Sequence, residues 1–396
     1  MLSIDHERLK RVRQVMEREQ LDALVCRLPE HVRFLSGHWP LVGWTWLWFP
    51  RVGRPVCIVP HCDAHEAEQE LWEATCDAFR FGVLTAGNPY EEIARRLQSA
   101  LRGRRPRRVG YEGDFEAVAP PWNAAEPAIP AAATRRLLRE VFGARALVDA
   151  TPLLNELRAR KTPHEQQRMR IASEIAAFGL ETFRRKVDVG VSGVELVAHV
   201  ERAVLLQGTG YRGARRVRAF AQVATGRQET AAGYRPMEIS SLRKLRPRDL
   251  ALLELGVVAD GFWSDRTRVR VAGQPTSRHR DVFDAVVKAQ EAAIAAVRPG
   301  AAAGAVDRAA RAVMRARGYG KEFLHVTGHG LGLRYHEPVP LLAPGVTTVL
   351  EKGMVHSVEP GAYAPQWGGM RVEDDILVTA TGAEVLGPAR KELATP

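Results

Sequence analysis

Helical and extended patterns alternate along the first half of the chain. Apolar residues spaced three or four apart predict helices, and short apolar runs between turn signals predict strands. The expected order is helix 5–19, strand 22–28, strand 56–60, helix 63–74, helix 90–102 and strand 109–112. Such alternation is typical of an α/β domain with a largely parallel sheet. We expect this domain to cover residues 1–155.

The second half begins with helices and becomes rich in strand patterns. Thr162-Pro163-His164-Glu165 and Ser192-Gly193-Val194-Glu195 both have the residue types of a capping box at a helix start. Two later helices are predicted from Ser277 to Pro299 and over 303–317. The extended patterns lie at 250–272, 322–337, 353–363 and 370–379. Residues 156–396 are therefore expected to form an α+β domain, with helices covering a mostly antiparallel sheet.

Three segments of the first half allow more than one interpretation. The Pro/Ala-rich stretch 119–133 predicts a surface loop, and the arginine-rich run 102–108 indicates a solvated loop rather than a nucleic-acid contact. Trp44, Trp46 and Trp48 alternate at strand period and so share one face. That face could pack in the core, pack against another subunit, or form an apolar lip over an active site.

Composition places the chain among ordinary globular proteins. Of its 396 residues, 45% are hydrophobic and 26% are charged, which excludes a disordered chain, a collagen-like repeat and a coiled coil. The sequence contains no apolar run of the roughly 18 residues that a membrane span requires. The first residues, MLSIDHERLKRVRQ, are charged and lack the apolar stretch of a secretory signal. We expect a cytoplasmic protein that does not enter a membrane.

The net charge and the cysteines say little about function. Fifty-seven basic and 46 acidic side chains give a net charge of +11, which permits nucleic acid, a membrane surface or an acidic substrate as partner without choosing among them. Nucleic acid is an unlikely partner because no stacking aromatics interleave with the basic run. Four cysteines in a chain this long do not make a disulfide framework. The segment 61–65 (HCDAH) could hold a metal, but it also reads as a strand leading into a helix.

The most informative segment is 250–271, in which Asp260-Gly261 predicts a tight hairpin turn. That turn sets Gly256 opposite Asp265 and Glu254 opposite Thr267. Glu254 and Asp265 are then diagonal neighbours on one face, with Cβ atoms roughly 7–8 Å apart. Two carboxylates in an apolar hairpin repel each other unless a positive charge lies between them. A pair of divalent metal ions is the natural candidate.

Three later motifs supply further candidate ligands. Residues 325–338 (HVTGHGLGLRYHEP) place three histidines in a glycine-rich strand and loop. Residues 355–361 (VHSVEPG) end a predicted strand in a carboxylate, and 369–375 (GMRVEDD) add an arginine and three acids. Any one of these could be structural, but together they bring carboxylates and imidazole to the ends of predicted strands.

In combination these motifs resemble those of the pita-bread metallopeptidases, in particular the Xaa-Pro dipeptidases (prolidases) and aminopeptidase P. The shared motifs are W-S-D-R-T-R, H-x-x-x-H-G-x-G-L-x-x-H-E-P, S-V-E-P-G and R-V-E-D-D, and the resemblance runs over most of the chain. It implies a creatinase-like N-terminal domain and a pita-bread catalytic domain with a curved sheet. It also implies a small peptide substrate, a homodimer, and two divalent ions, Mn²⁺, Co²⁺ or Zn²⁺.

Residue by residue, the resemblance assigns the following roles. The metal ligands would be Glu254, Asp265, His329, Glu359 and Glu373. His325 and His336 would line the substrate site and steady the tetrahedral intermediate, and Arg371 would lie near the terminal carboxylate of the substrate, which an arginine fork can clamp. A hydroxide between the two metals would attack the peptide bond, and a free edge of Glu359 would take the proton from the attacking water.

Two positions depart from the family pattern. Glu254 stands where the family normally has aspartate, and Gly233 stands where a histidine is expected, so Tyr234 would take over part of the role of that histidine. We expect Gly233→His to be tolerated. The departures leave three hypotheses: a two-metal Xaa-Pro peptidase, a metal-poor relative that hydrolyses a non-peptide C–N bond as creatinase and ectoine hydrolase do, with Glu254 as nucleophile or base, and a catalytically silent binding domain.

Overall fold

The structure is a computed structural model that describes residues 4–40, 43–81, 83, 86–101, 103, 105–113, 132–234, 240–388 and 390–394. It divides the chain into two compact units, Met1–Arg158 and Ala159–Pro396. Most of the predicted loop 119–133 lies outside the described residues, as do Arg102 and Arg104 of the basic run. Among the described residues, none of the helices combines the length and apolar character needed to cross a lipid bilayer.

The first unit is built from alternating helices and short strands, as predicted. Its helices are α1 (His6–Arg18), α2 (Pro29–Ser36), α3 (Ala64–Glu70), α4 (Pro89–Leu101), α5 (Ala132–Phe142) and α6 (Thr151–Ala159). Its strands are β1 (Ala23–Cys26), β2 (Trp46–Pro50), β3 (Val56–Pro60), β4 (Thr75–Phe79), β5 (Val109–Tyr111) and β6 (Leu147–Asp149). α1 begins at Asp5, whose side chain accepts a hydrogen bond from the backbone N–H of Arg8 at 3.0 Å.

The sheet of this unit is mixed rather than largely parallel. Its strand order is β4-β3-β2-β1-β5-β6. β3 and β4, β1 and β5, and β5 and β6 pair in parallel, whereas β2 runs antiparallel to both of its neighbours. The tryptophan-rich β2 therefore lies inside the sheet, where its side chains meet the core.

The tryptophans of β2 and the cysteines take structural positions. Trp46 and Trp48 are buried in the hydrophobic core of the first unit, which confirms the core interpretation for these two side chains. All four cysteines are free; Cys26 and Cys57 are buried, and burial raises the pKa of both thiols. The segment His61–Asp63 is a helical turn leading into α3, and the clusters of metal-ligating side chains in the described part of the chain do not include it.

The second unit combines long helices with antiparallel strands. Its helices are α7 (Pro163–Lys186), α8 (Gly193–Gly208), α9 (Gly226–Ala231), α10 (Ser277–Ala296) and α11 (Ala303–Ala316). Its strands are β7 (Val217–Thr225), β8 (Leu250–Ala259), β9 (Phe262–Val271), β10 (Gly328–Gly330), β11 (Glu337–Leu342), β12 (Val355–Val358), β13 (Gly361–Ala364), β14 (Gly368–Arg371), β15 (Asp374–Val378) and β16 (Ala383–Val385). α7 and α8 both begin with the predicted capping boxes.

The strands of the second unit form antiparallel sheets covered by helices, as predicted. The sheets have the orders β7-β8-β9, β11-β10-β12-β15-β16 and β13-β14. One hydrophobic core joins α7 and α8 to β7 and β8, and another joins α10 and α11 to β12, β14 and β15. The strands thus lie between two helical layers, and burying both of these apolar faces stabilises the unit.

The hairpin of β8 and β9 has the predicted register. Gly256 pairs with Asp265, and Glu254 pairs with Thr267. Asp260 and Gly261 in the turn both have positive φ, at 48° and 91°, as a two-residue hairpin turn of this hand requires. Asp260 also accepts a hydrogen bond from the backbone N–H of Arg216 at 2.8 Å, which anchors the turn to the residues before β7.

Candidate metal centre

Four of the five predicted ligands converge where the ends of the antiparallel strands meet. Asp265 comes from β9 and His329 from β10, while Glu359 follows β12 and Glu373 precedes β15. Single ligand atoms of His329, Glu359 and Glu373 lie within 4.8 Å of one another, and a second group of this kind contains Asp265, His329 and His336. Residues separated by more than a hundred positions in the sequence therefore share one small volume.

His329 lies at the centre of the cluster and is oriented by the backbone. Its Nδ1 lies 2.9 Å from the carbonyl oxygen of Gly330, which can only accept a hydrogen bond, so Nδ1 carries the proton and Nε2 is directed at the acids. Nε2 is 3.4 Å from Asp265 Oδ2 and 3.5 Å from Glu359 Oε1. These separations are long for strong hydrogen bonds and suit ligands that share one ion at about 2.0–2.2 Å.

The buried acids repel one another. Burial raises the pKa of Asp265 to about 7, and the charges of Glu254 and Glu359 act in the same direction. Burial, Asp265 and Glu359 raise the pKa of Glu373 well above its usual range. Burial alone would lower the pKa of His329, but its interactions with Asp265 and Glu359 outweigh burial and raise that pKa to about 9. The raised pKa values mean that the cluster favours added positive charge, as a cation site does.

The donor set fits a divalent metal. Glu373 Oε2 accepts a hydrogen bond from the Thr267 hydroxyl at 2.6 Å. The other carboxylate oxygen, Oε1, is buried without a hydrogen-bond partner among the described residues. An acceptor oxygen in that position costs roughly 1–3 kcal/mol unless something binds it. Carboxylates with imidazole are ligands that Mn²⁺, Co²⁺ and Zn²⁺ accept.

Glu254, the fifth predicted ligand, lies beside the cluster but is bound to other groups. Arg371 Nη2 donates to Glu254 Oε2 at 2.6 Å, and the Tyr335 hydroxyl is 3.2 Å from Glu254 Oε1. That hydroxyl donates to Asp265 Oδ1 at 2.8 Å, so Tyr335 links the two carboxylates of the hairpin. A Cβ on Gly256 would lie 2.8 Å from the Tyr335 ring, which means that glycine at 256 makes room for this tyrosine.

Arg371 lies against the ligand shell and is bonded mainly to protein groups; its expected role near the carboxylate of the substrate stays a prediction. Beyond its ion pair with Glu254, its Nε donates to Thr267 Oγ1 at 3.0 Å. Its Nη1 donates to the Tyr363 hydroxyl and to the Gly233 carbonyl oxygen, each at 3.0 Å. A guanidinium has five N–H donors, and four are used on the protein, so no pair remains to grip a carboxylate with two bonds. These bonds let Arg371 fix the positions of Glu254 and Tyr363 beside the cluster.

The remaining predicted residues, His325, Tyr234 and His336, form a wall next to the cluster. His325 Nδ1 lies 2.8 Å from the Val326 carbonyl oxygen, and its Nε2 lies 3.1 Å from the Tyr363 hydroxyl. Burial and the charge of Arg371 lower the pKa of His325 to about 3, so the ring is neutral. Tyr234 packs edge-on against Tyr363, with ring centroids 5.6 Å apart. Half-buried His336 lies against His329, with ring centroids 3.9 Å apart and the rings tilted by 41°.

The position of the missing histidine is sterically closed. A Cβ on Gly233 would lie 2.6 Å from Leu252 Cδ2 and 3.0 Å from the Thr230 carbonyl oxygen. The expectation that Gly233→His is tolerated is therefore not supported by the packing. Glycine at 233 allows close approach of α9 to β8 and leaves the Gly233 carbonyl free to accept from Arg371.

Sequence reasoning missed three residues of the site: Thr267, Tyr335 and Tyr363. Thr267 could have been found, because the predicted register set it opposite Glu254 and hence on the same face. Tyr335 and Tyr363 lie beside motif residues, but their hydroxyl contacts depend on strands that are distant in sequence. An aromatic row from Phe220 through Trp263 to Tyr335, with centroid spacings of 5.5 and 5.3 Å, supports Tyr335 from behind.

Comparison with known proteins gives the same family for both halves of the chain. The model of metallopeptidase family M24 matches residues 167–380, and that of the creatinase/prolidase N-terminal domain matches residues 8–160. The Xaa-Pro dipeptidase of Lactobacillus delbrueckii is 28% identical over 340 residues, which cover 86% of this chain and 85% of that protein. The Xaa-Pro dipeptidase of Pyrococcus furiosus is 33% identical over 241 residues, or 61% of this chain and 66% of that protein.

Solved structures agree over nearly the whole length. The prolidase from Thermococcus sibiricus has a TM-score of 0.81 and 27% identity, covering 100% of both chains. The prolidase from Pyrococcus horikoshii has a TM-score of 0.79 and 26% identity, covering 98% of this chain and 100% of that one. These findings confirm the creatinase-like N-terminal domain and the pita-bread fold. The chain belongs to metallopeptidase family M24.

Proposed function

We propose that this metallopeptidase hydrolyses Xaa-Pro dipeptides with two divalent metal ions. The observation that carries the proposal is the buried convergence of Asp265, His329, Glu359 and Glu373. Burying several acids around one imidazole is costly without a cation, so a structural role does not account for it. The similarity to proteins named Xaa-Pro dipeptidase supports the choice of substrate.

Five acidic or imidazole side chains would hold the two metal ions. Asp265, His329, Glu359 and Glu373 would hold the ions between them, with Glu254 beside them as the fifth candidate ligand. When bound, such a pair of ions activates water and polarises the carbonyl of the scissile bond. The ligand chemistry suits Mn²⁺, Co²⁺ or Zn²⁺.

Glu359 is the acid best placed to move a proton. Its side chain is 13% exposed, whereas those of Asp265 and Glu373 are 2% exposed. The Ser357 hydroxyl donates to Glu359 Oε1 at 3.2 Å, while Oε2 is 3.9 Å from the nearest basic nitrogens, His325 Nδ1 and Arg371 Nε. Burial raises the pKa of Glu359. A carboxylate with one loosely held oxygen and a raised pKa can take the proton of the attacking water.

The wall beside the cluster would receive the substrate. His325 is exposed on one edge and orients the Tyr363 hydroxyl, which is directed by Arg371 from its other side. Tyr234 and Tyr363 offer aromatic surface to an apolar proline ring. We propose that His325 and His336 face the substrate, and that a polar donor from this wall steadies the oxygen that becomes negative in the transition state.

The rival hypotheses fit the site less well. A nucleophilic or basic Glu254 would need a free carboxylate, but Glu254 is paired with Arg371 at 2.6 Å and lies next to the Tyr335 hydroxyl. An ion pair of this kind favours the resting carboxylate and weakens it as a base. A silent binding domain would gain nothing from the costly acidic cluster. The homodimer and the cytoplasmic location stay predictions; light scattering tests the first.

The test is release of proline after stripping the protein with a chelator and reloading it with Mn²⁺, Co²⁺ or Zn²⁺. We expect proline release from Xaa-Pro dipeptides only in reloaded samples, with dipeptides lacking proline and creatine serving as controls. Faster cleavage of Xaa-Pro tripeptides would change the assignment to an aminopeptidase. Failure to release proline from either substrate at full metal content would overturn the proposal.

A further inference from the structure

His336 is placed like a metal ligand, a role that the family motifs do not give it. One of its ring nitrogens lies within 4.8 Å of ligand atoms of both Asp265 and His329. The centroid of its ring lies 3.9 Å from that of His329, with the two rings tilted by 41°, and the Tyr335 ring packs edge-on against it at 4.7 Å. These contacts hold the imidazole against the acidic cluster.

The hydrogen bonding of His336 is incomplete. Its Nδ1 is buried without a hydrogen-bond partner among the residues that the structure describes. His329 and His325, by contrast, each hold Nδ1 close to a backbone carbonyl oxygen, at 2.9 and 2.8 Å. Leaving a buried ring nitrogen unsatisfied costs roughly 1–3 kcal/mol, so a purely structural role leaves this geometry unexplained.

Glu254 provides the complementary observation. Its two carboxylate oxygens contact Arg371 and Tyr335, at 2.6 and 3.2 Å. Within the described residues, one of the two groups of converging ligand atoms includes His336, and neither includes Glu254. The glutamate that replaces the usual aspartate is therefore held by protein groups, while a histidine occupies the ligand position next to Asp265.

We propose that His336 is a metal ligand of the substrate-free enzyme, binding one ion together with Asp265 and His329. The inference rests on the proposed function only in requiring a divalent ion at this cluster. Two imidazoles and a carboxylate favour Zn²⁺ or Co²⁺, whereas an oxygen-rich shell favours Mn²⁺. We therefore expect this chain to bind Zn²⁺ and Co²⁺ more tightly than Mn²⁺.

X-ray absorption spectroscopy of the intact protein loaded with Zn²⁺ or Co²⁺ tests the proposal, because imidazole ligands give a distinct scattering signature. With both His329 and His336 bound, the wild-type protein shows twice the imidazole count per metal that His329 alone would give. His336→Gln should halve that count. His325→Gln is the matched control, since His325 is a neutral histidine of the same site outside both ligand groups, and it should leave the count unchanged.

Affinity provides a second readout. A competing chromogenic chelator should show that His336→Gln weakens Zn²⁺ binding by at least about 10–100-fold, the loss that even outer partners of metal ligands cause. A wild-type imidazole count equal to that expected for His329 alone would overturn the proposal, and this measurement does not depend on whether the variant folds. Failure of the proposed function would look different: proline release would be absent while the doubled imidazole count remained.

Discussion

The two faces of β9 carry buried charge in opposite ways. On one face, Asp265 and Thr267 meet Glu373, and acids outnumber bases. On the other, Arg266 and Arg268 each donate to Asp374 Oδ1 at 2.6 Å, and Gln290 donates to Asp374 Oδ2 at 3.1 Å. Glu373 and Asp374 are adjacent in sequence but contact opposite faces of the neighbouring strand.

The pKa values of these two acids show the consequence. Burial would raise the pKa of Asp374, but Arg268 and Arg266 outweigh it and hold that pKa below its usual range. The pKa of Glu373 is raised, because burial and the neighbouring acids reinforce each other. Asp374, bonded by two arginines at 2.6 Å, is structurally complete, whereas Glu373, whose contact with Arg371 is 3.7 Å long, is prepared for an added cation. This difference supports the proposed role of the face that carries Asp265 and Glu373, the functional face.

The largest effect is expected from Asp265→Asn, which removes a charge from the functional face. The amide keeps the shape but is a poor metal ligand, so proline release should fall by more than about 100-fold, with metal content falling in parallel. Elemental analysis beside the activity assay measures both. Asp281→Asn, the same change at a partly exposed position on α10, should alter neither. Full activity in Asp265→Asn would contradict the site.

Asp374→Asn and Glu373→Gln compare the two faces directly. In the metal-free protein, Asp374→Asn leaves Arg266 and Arg268 without their carboxylate and should cost about 3–5 kcal/mol of unfolding free energy. Glu373→Gln removes a repelling charge and should leave stability equal or increased. Urea unfolding in the presence of a chelator measures both. Equal losses in the two variants would show that the faces do not differ as described.

The functional face should also give the metal-free protein a pH-dependent stability. The pKa of Asp265 is raised to about 7 and that of His329 to about 9, so the folded state holds more protons than the unfolded state across this range. The free energy of unfolding that these groups contribute should therefore decrease as pH rises. For Asp265 the decrease runs from its unfolded pKa near 4 up to about 7, and for His329 it runs from about 6.5 up to about 9.

Unfolding midpoints of the metal-free protein between pH 7 and pH 9 test this slope, because below pH 7 the lowered pKa values of His325 and His336 act in the opposite direction. Each proton taken up contributes at most about 1.4 kcal/mol per pH unit. Asp265→Asn should flatten the slope, and a bound metal should remove it, because the ion replaces the protons. A midpoint that climbs with pH in the metal-free protein would be the wrong sign for this cluster.

A smaller effect is expected from substitutions at Gly233, whose carbonyl oxygen accepts a hydrogen bond from Arg371. Gly233→Ala places a methyl group against Leu252 and the Thr230 carbonyl, which should cost about 1–3 kcal/mol and disturb the hydrogen bond from Arg371. Gly233→His should be worse. Gly43→Ala is the control, since a Cβ there meets no atom within 4 Å. Thermal unfolding with intact metal content separates the steric effect from loss of the site.

The hairpin of β8 and β9 shows which structural features can be predicted from residues close in sequence. Asp260-Gly261 fixes the turn, the turn fixes the register, and the register places Glu254, Asp265 and Thr267 on one face. Each of these steps depends on residues less than about fifteen positions apart. The mixed order of the first sheet was not predictable in this way, because the direction of β2 depends on chain paths around whole helices.

The candidate site likewise has features that the sequence predicts and features that depend on the tertiary structure. The identity of the acids and histidines could be assigned from motifs, but the bonds of Arg371 could not. They depend on Glu254, Thr267, Gly233 and Tyr363, which come from different strands and a helix end. Alternation along β15 predicts that Glu373 and Asp374 face apart. Only the tertiary structure shows that two arginines bond Asp374 at 2.6 Å, whereas the contact of Arg371 with Glu373 is 3.7 Å long.

The aromatic row behind Tyr335 gives the site an optical reporter. Trp263 and Trp367 are the two tryptophans of the second unit, and the Trp263 ring lies 5.3 Å from that of Tyr335, whose hydroxyl bonds Asp265. Indole emission responds to the charge and mobility of its surroundings. Fluorescence of Trp263, isolated by difference from a Trp263→Phe protein, would follow occupancy of the cluster in real time without any substrate.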